Sequence, residues 1–151
     1  MGSLNSAIRK LSLGVLLVLG VIDLARGGFH WLAPDSGAGS VAGMNLSYPN
    51  GRDVIFLLAT DGISQIVWGI AYLFFVFRAP QLVPFALLTE VLRGLMLLAT
   101  EYWLKPPGAP VPGRFMHMAT TAVCAAILLL WAAARLRSPA SAPAPPSPAK
   151  R

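Results

Sequence analysis

Apolar positions along the chain gather into four long runs, parted by short segments rich in polar residues, Gly and Pro. The runs cover about 11–32, 54–77, 82–104 and 115–136. About 20 consecutive apolar residues carry a helix across a bilayer, so each run predicts one membrane-spanning helix. The first is the shortest in strict terms (LSLGVLLVLGVIDLA, 11–25), but it can lengthen through Gly27-Gly28 into Phe29-His30-Trp31, side chains suited to a membrane interface. A secretory signal peptide is the competing reading, given Arg9 and Lys10 before an apolar middle. Asp23 stands where a small residue should precede a cleavage after Ala25, which favours a retained span.

Between the runs, residues 27–53 predict a Gly-rich outer loop in which Tyr48-Pro49-Asn50-Gly51 reads as a turn. Arg78-Ala79-Pro80-Gln81 is a tight link that makes the second and third helices antiparallel neighbours. Pro84 falls in the first turn of the third helix, where its missing N–H does no harm. Residues 105–114 (KPPGAPVPGR) read as a stiff Pro-rich loop. Residues 138–151 (SPASAPAPPSPAKR) are too poor in apolar side chains to pack and predict a disordered cytoplasmic tail. Met-Gly-x-x-x-Ser at the start matches a myristoylation pattern and Asn45-Leu46-Ser47 a glycosylation sequon, neither meaningful in a bacterial polytopic protein.

Composition agrees with this division. Of 151 residues, 56% are hydrophobic and only 12% charged, about half the charged share a soluble domain needs to cover its surface. Mean hydropathy is +0.65. The fold class expected is therefore all-α integral membrane, a four-transmembrane-helix bundle over residues 1–137. The net charge of +6 could suggest a nucleic-acid partner, but the basic residues sit singly at the ends of apolar runs with no interleaved aromatics. They set topology instead: Arg9, Lys10, Arg78, Arg135, Arg137, Lys150 and Arg151 on one side outnumber Arg26, Arg52, Lys105 and Arg114 on the other. Both termini are expected in the cytoplasm. Nine arginines against three lysines, with much Ala and Pro, hint at a GC-rich bacterial source and hence a bacterial inner membrane. A single cysteine, Cys124, excludes an internal disulfide, a CxxC pair and a thiolate zinc cage.

The informative residues are the polar ones inside the runs: Asp23, Asp61, Gln65, Glu90, Arg93, Glu101 and His117. A charge near a helix centre costs about 2.5–3.5 kcal/mol on insertion scales, and each Leu, Ile, Val or Phe returns about 0.3–0.6 kcal/mol. The third run holds eleven such apolar residues. Their roughly 5 kcal/mol is consumed by Glu90 and Arg93 alone, so this helix needs partners for its charges. At 100° per residue Glu90 and Glu101 share one face, with Gly94 and Leu97 between them. Asp61, Gln65, Trp68 and Tyr72 make a stripe on the second helix, as do His117, Thr120, Thr121 and Cys124 on the fourth. Ser12, Leu16, Leu19, Asp23 and Arg26 make one on the first. Lipid tolerates none of these stripes, so they are expected to turn inward around a polar core.

Depth divides that core in two. Gln65 and Arg93 each lie about 16 Å from their helix starts, at a shared central level where Arg93 would bridge Glu90 and Asp61. Asp23, Glu101 and His117 would form an outer carboxylate–histidine cluster. Simpler roles stand beside these. Glu90 and Arg93 at i, i+3 can merely neutralise each other, Asp23 can pair with Arg26 at an interface, and His117 can be an ordinary interface histidine. Trp31, Tyr102 and Trp103 suit belt anchors, Cys124 an inert core thiol, and Gly62, Gly69, Ala122 and Ala126 close helix contacts.

No nucleotide-binding glycine loop, HExxH, GxSxG or CxxC occurs. A metal on Asp61, Glu101 and His117 lacks any supporting local spacing, so no metal, cofactor or catalytic residue is assigned. Asp61-Gly62-x-x-Gln65, then Glu101-x-x-Leu104-Lys105-Pro106-Pro107 and Pro112-Gly113-Arg114, resemble small bacterial four-span membrane proteins of unknown function. That resemblance, over about half the chain, implies architecture and no activity. Three readings of function stay open. The first is a non-enzymatic accessory or small-ligand-binding protein with a polar bundle core, in the bilayer alone, as a homodimer or beside a partner membrane protein. The second is a small proton-coupled carrier acting as a homodimer. The third is a membrane enzyme on a lipid-soluble substrate, with His117 and the carboxylates as acid and base.

Overall fold

The computed structural model describes residues 2–107 and 114–136. The expected 138–151 tail, residues 108–113 of the Pro-rich loop, and Arg137, Lys150 and Arg151 of the charge asymmetry lie outside the described residues. Four helices follow one another: α1 (Gly2–Leu32), α2 (Gly51–Phe77), α3 (Val83–Ala99) and α4 (Arg114–Leu136). A short 3-10 turn, Pro80–Leu82, leads into α3, and a π-helical turn, Thr100–Leu104, extends it. There is no strand among the described residues. Three segments, Gly51–Phe77, Pro80–Leu104 and Arg114–Leu136, are long and apolar enough to cross a membrane. Their outward faces carry apolar side chains such as Phe56, Val67, Phe85, Met96, Phe115 and Leu129, all exposed. This is the pattern of a multi-pass membrane protein.

Proline marks where helices stop. α1 ends at Leu32 before Ala33-Pro34, α2 at Phe77 before Arg78-Ala79-Pro80, and the π-helical turn at Leu104 before Lys105-Pro106. The residue before a proline is pushed out of the helical region, so each helix closes just upstream. Two starts lie earlier than the apolar pattern implies. α1 is helical from Gly2 rather than from 11, since residues 2–10 contain no breaker. α2 begins at Gly51 rather than 54, because the predicted turn feeds it directly: the Gly51 amide donates to Tyr48 O at 2.9 Å and the Asp53 amide to Asn50 O at 3.1 Å.

The helices associate as two antiparallel pairs. α1 lies along α2 at backbone distance, through glycines spaced seven apart on each helix. A Cβ added at Gly27 would stand 2.5 Å from Gly62 O, and one at Gly69 would stand 2.8 Å from Gly20 O. Only residues without side chains permit this approach. α3 and α4 form the second pair, with Gly94 directly against the Thr121 side chain. Ala122 and Ala126, expected at close contacts, are exposed instead, since small size does not determine which face of a helix is covered. Despite their tight link, α2 and α3 meet only sparsely, and α1 meets both α3 and α4.

Between the pairs the interior divides into two halves. Leu16, Tyr72, Val83, Ala86, Leu87, Cys124 and Ile127 form an apolar core near the α2–α3 link. At the end away from the polar half, Ser12 Oγ donates to Ile8 O at 2.7 Å and accepts from Trp131 Nε1–H at 2.9 Å, tying α1 to α4. The other half, toward the α1–α2 loop, is polar.

Candidate functional site

In the polar half the four helices surround a cavity of about 280 Å³. α1 contributes Asp23 and Arg26, α2 Asp61 and Gln65, α3 Glu90 and Arg93, and α4 His117 and Thr121. Each polar stripe of the sequence thus delivers residues to one space, together with Leu19, Ile22, Leu97 and Met116. Six of the seven sequence-selected residues line it; Glu101 does not.

The floor is an ion pair whose carboxylate is buried and whose guanidinium is half-exposed. Glu90 is 3% exposed, and its Oε1 receives Arg93 Nη2 at 2.8 Å, one turn along α3. Tyr72 Oη, 1% exposed at the top of the apolar core, donates to the same oxygen. Glu90 is therefore held by one partner on its own helix and one on α2. The Arg93 side chain stays 43% exposed and also reaches toward Asp23 Oδ2 at 3.7 Å.

This corrects the expected Arg93–Asp61 bridge. Asp61 Oδ2 instead accepts from Gln65 Nε2 at 2.5 Å, one turn along its own helix. The glycine contact holds α1 beside α2, so Asp23 reaches Arg93 first. Asp23 does not pair with Arg26 either: Arg26 Nε donates to His30 Nε2 at 3.4 Å, and His30 Nδ1–H donates to Ser36 O at 2.7 Å. This chain anchors the start of the α1–α2 loop.

The outer carboxylate–histidine cluster does not form. Asp23 belongs to the Arg93 network. Glu101, 7% exposed, accepts from Arg114 Nε at 3.1 Å, and the Arg114 guanidinium lies 5.1 Å from the centre of the Tyr102 ring. Glu101 is three turns along α3 from Glu90, and Arg114 at the start of α4 is its nearest cation. His117 lines the cavity, but its ring makes no hydrogen bond among the described residues; its carbonyl accepts from Thr121 Oγ1 at 2.7 Å. No group of His, Cys, Asp and Glu that could hold a metal ion occurs among the described residues.

Two polar atoms in this site lack a hydrogen bond, although one of them, Asp23 Oδ2, faces Arg93 Nη2 at 3.7 Å. Asp23 Oδ2 and Gln65 Oε1 are buried and accept no hydrogen bond. Their residues are 8% and 6% exposed and line the cavity. A buried acceptor without a donor costs about 1–3 kcal/mol, so both atoms call for a donor inside the cavity. The lining carries three carboxylates (Asp23, Asp61, Glu90) against two guanidinium groups (Arg26, Arg93). The site thus holds two acceptors that its own donors do not reach, and one more carboxylate than guanidinium.

The sequence alone does not mark Tyr72 and Arg26 as site residues. Tyr72 sits on the Asp61–Gln65 stripe, and that position was the available signal; its partner on α3 had none. Searches against protein-family profiles, curated proteins and solved structures find no match to this chain.

Proposed function

We propose that this chain is a four-span, non-enzymatic membrane protein that binds a small amphipathic ligand in the polar cavity between its helix pairs. The observation that carries the reading is the pair of unsatisfied acceptors, Asp23 Oδ2 and Gln65 Oε1, lining one 280 Å³ space. A purely structural polar core would close its own hydrogen bonds, as Glu90 does with Arg93 and Tyr72.

α1 is the fourth span in this reading. Its segment 11–32 is about 33 Å long, it exposes Leu11, Val18, Val21 and Phe29, and it packs along α2 through glycines. Such packing supports a retained helix over a cleaved signal peptide. Both termini lie in the cytoplasm, by the excess of Arg and Lys on that side, and the membrane is the bacterial inner membrane. Resemblance to small bacterial four-span proteins stands as part of the same proposal. The cavity then lies in the outer half of the bilayer, where its exposed charges, Asp61, Arg26 and Arg93, need water or a ligand.

The test is thermal unfolding in detergent over the histidine range, about pH 5 to 8, with a panel of amphipathic compounds and divalent metals. The parent is compared with Asp61→Asn and Gln65→Leu. A compound that raises Tm in the parent and not in the variants supports a binding site. If no compound stabilises the parent and both variants are weakened at every pH, the polar residues only hold the helices together.

A further inference from the structure

The polar cavity is not closed on every side. Between α1 and α4 runs an apolar groove of about 590 Å³, lined by Leu11, Gly14, Val15, Val18 and Val123 among others, with Lys10 at its far end. Leu19, Ile22, Met116 and Thr120 line both the groove and the polar cavity, so the two spaces adjoin across these four side chains. From Leu11 to Ile22 the groove follows α1 for about 16 Å, the reach of a dodecyl chain. A ligand spanning both spaces has one end in a site with two unpaired acceptors and one more carboxylate than guanidinium, and the other against hydrocarbon.

We propose that the ligand is a single-chain amphiphile with a primary ammonium head, the head donating to Asp23 Oδ2 and Gln65 Oε1 and the alkyl tail lying in the α1–α4 groove. An ammonium carries three N–H donors and no acceptor, matching two acceptors without a hydrogen bond in a lining with one more carboxylate than guanidinium. An anionic head would meet Asp23, Asp61 and Glu90 without relieving either acceptor. A neutral alcohol offers a single donor for two acceptors and leaves the charge unbalanced. Entry is sideways from the bilayer, since the groove opens on the outer surface between α1 and α4, where Leu11, Val18, Met116 and Val123 are exposed. This assignment rests on the cavity being a binding site, as proposed above.

The experiment uses the full chain in lipid nanodiscs and a dodecylamine carrying a photoreactive diazirine in its tail, with labelled positions read by mass spectrometry. Label is expected in residues 14–22 and 116–123. Unlabelled dodecylamine should reduce it about tenfold, while dodecanol, dodecanoate and tail-less ethylamine at equal concentration should leave it nearly unchanged. Gly14→Phe separates binding from folding: a Cβ at Gly14 meets nothing within 4 Å and Gly14 lines the groove, so the added ring is expected to occupy the groove. That variant should melt as the parent does and lose about tenfold of its label, and Gln65→Leu should lose label through the head site. Label elsewhere, undiminished label in Gly14→Phe, or competition by dodecanoate or dodecanol equal to that of dodecylamine overturns the proposal. If one of those other compounds stabilises the parent, only the ammonium assignment falls and the cavity remains a binding site. If no compound competes and none stabilises the parent, both fall.

Discussion

Tyr72 on α2 donates its phenolic hydrogen to Glu90 Oε1 on α3, and this contact stands at the boundary between the apolar core and the polar cavity. Its ring packs among the core residues while its hydroxyl turns into the ion pair of Glu90 with Arg93. α2 and α3 meet sparsely elsewhere, so this hydrogen bond also ties the two helix pairs together.

Tyr72→Phe keeps the ring and removes only the donor. A buried hydrogen bond to a charged acceptor contributes about 1.5–3 kcal/mol, and a loss of about 2 kcal/mol is expected. Thermal unfolding in detergent checks it; an unchanged Tm would contradict the placement of the hydroxyl.

Arg93→Gln leaves the buried Glu90 carboxylate with Tyr72 alone. Breaking a buried pair from one side costs about 3–5 kcal/mol, lowered here to about 2 kcal/mol because the Arg93 side chain is 43% exposed. The double change Glu90→Gln with Arg93→Gln no longer strands Glu90, while Asp23 loses its 3.7 Å partner in both proteins, so it should be milder than Arg93→Gln alone. Unfolding of both proteins side by side reads the difference, and equal damage would mean the two residues do not act as a pair.

Glycine substitutions should separate by position. Gly62→Val drives a side chain into the α1 backbone, whose Gly27 O would stand 2.8 Å from the new Cβ, and should cost about 2 kcal/mol or more. Gly28→Ala meets nothing within 4 Å and should be neutral or slightly stabilising. Expression and Tm in detergent give the ranking. A reversed order would mean α1 does not lie against α2 as described.

Asp35 organises the start of the α1–α2 loop. Its carboxylate accepts backbone N–H groups from Ser40 at 2.6 Å, Gly37 at 2.9 Å and Gly39 at 3.1 Å, with Ser40 Oγ at 3.1 Å. The Ser40 amide foremost, then that of Gly37, holds the carboxyl below its ordinary value of 3.8. A depressed folded value means the loop's contribution is complete above the unfolded value and is lost as pH falls through the folded one. Amide exchange at Gly37, Gly39 and Ser40 should therefore stay protected down to the ordinary aspartate range and rise only below it. Asp35→Asn should raise exchange at those amides at neutral pH, and equal protection in parent and variant would contradict the arrangement.

Much of this architecture is legible in the hydrophobic pattern, because lipid demands long apolar runs and leaves polar residues conspicuous. The all-helical class, the three spanning segments and the Tyr48–Gly51 turn follow from local rules. Pairing does not. Periodicity shows that Asp61 and Gln65 share a face and that Arg93 needs a carboxylate. It does not say that glycines bring α1 so close to α2 that Asp23 reaches Arg93 first. Glu101 and His117 look like neighbours by depth, yet Arg114, assigned from sequence to a loop, begins α4 and captures Glu101. The π-helical turn at Thr100–Leu104 has no sequence signature, being a change of backbone hydrogen-bond register in which the Lys105 amide donates to Thr100 O at 2.8 Å.

A polar cavity open to water inside an apolar helix assembly is the central proposal, and cysteine accessibility tests it most directly. In a Cys124→Ala background, Asp61→Cys places a thiol at the exposed edge of the cavity and Val67→Cys one on the apolar outer face of the same helix. Intact vesicles of known orientation are treated with a small, membrane-impermeant thiol reagent. The account predicts that the Asp61→Cys protein reacts from the face opposite the termini while the Val67→Cys protein does not. An unreactive Asp61→Cys protein, or equal reaction of the two, would contradict it.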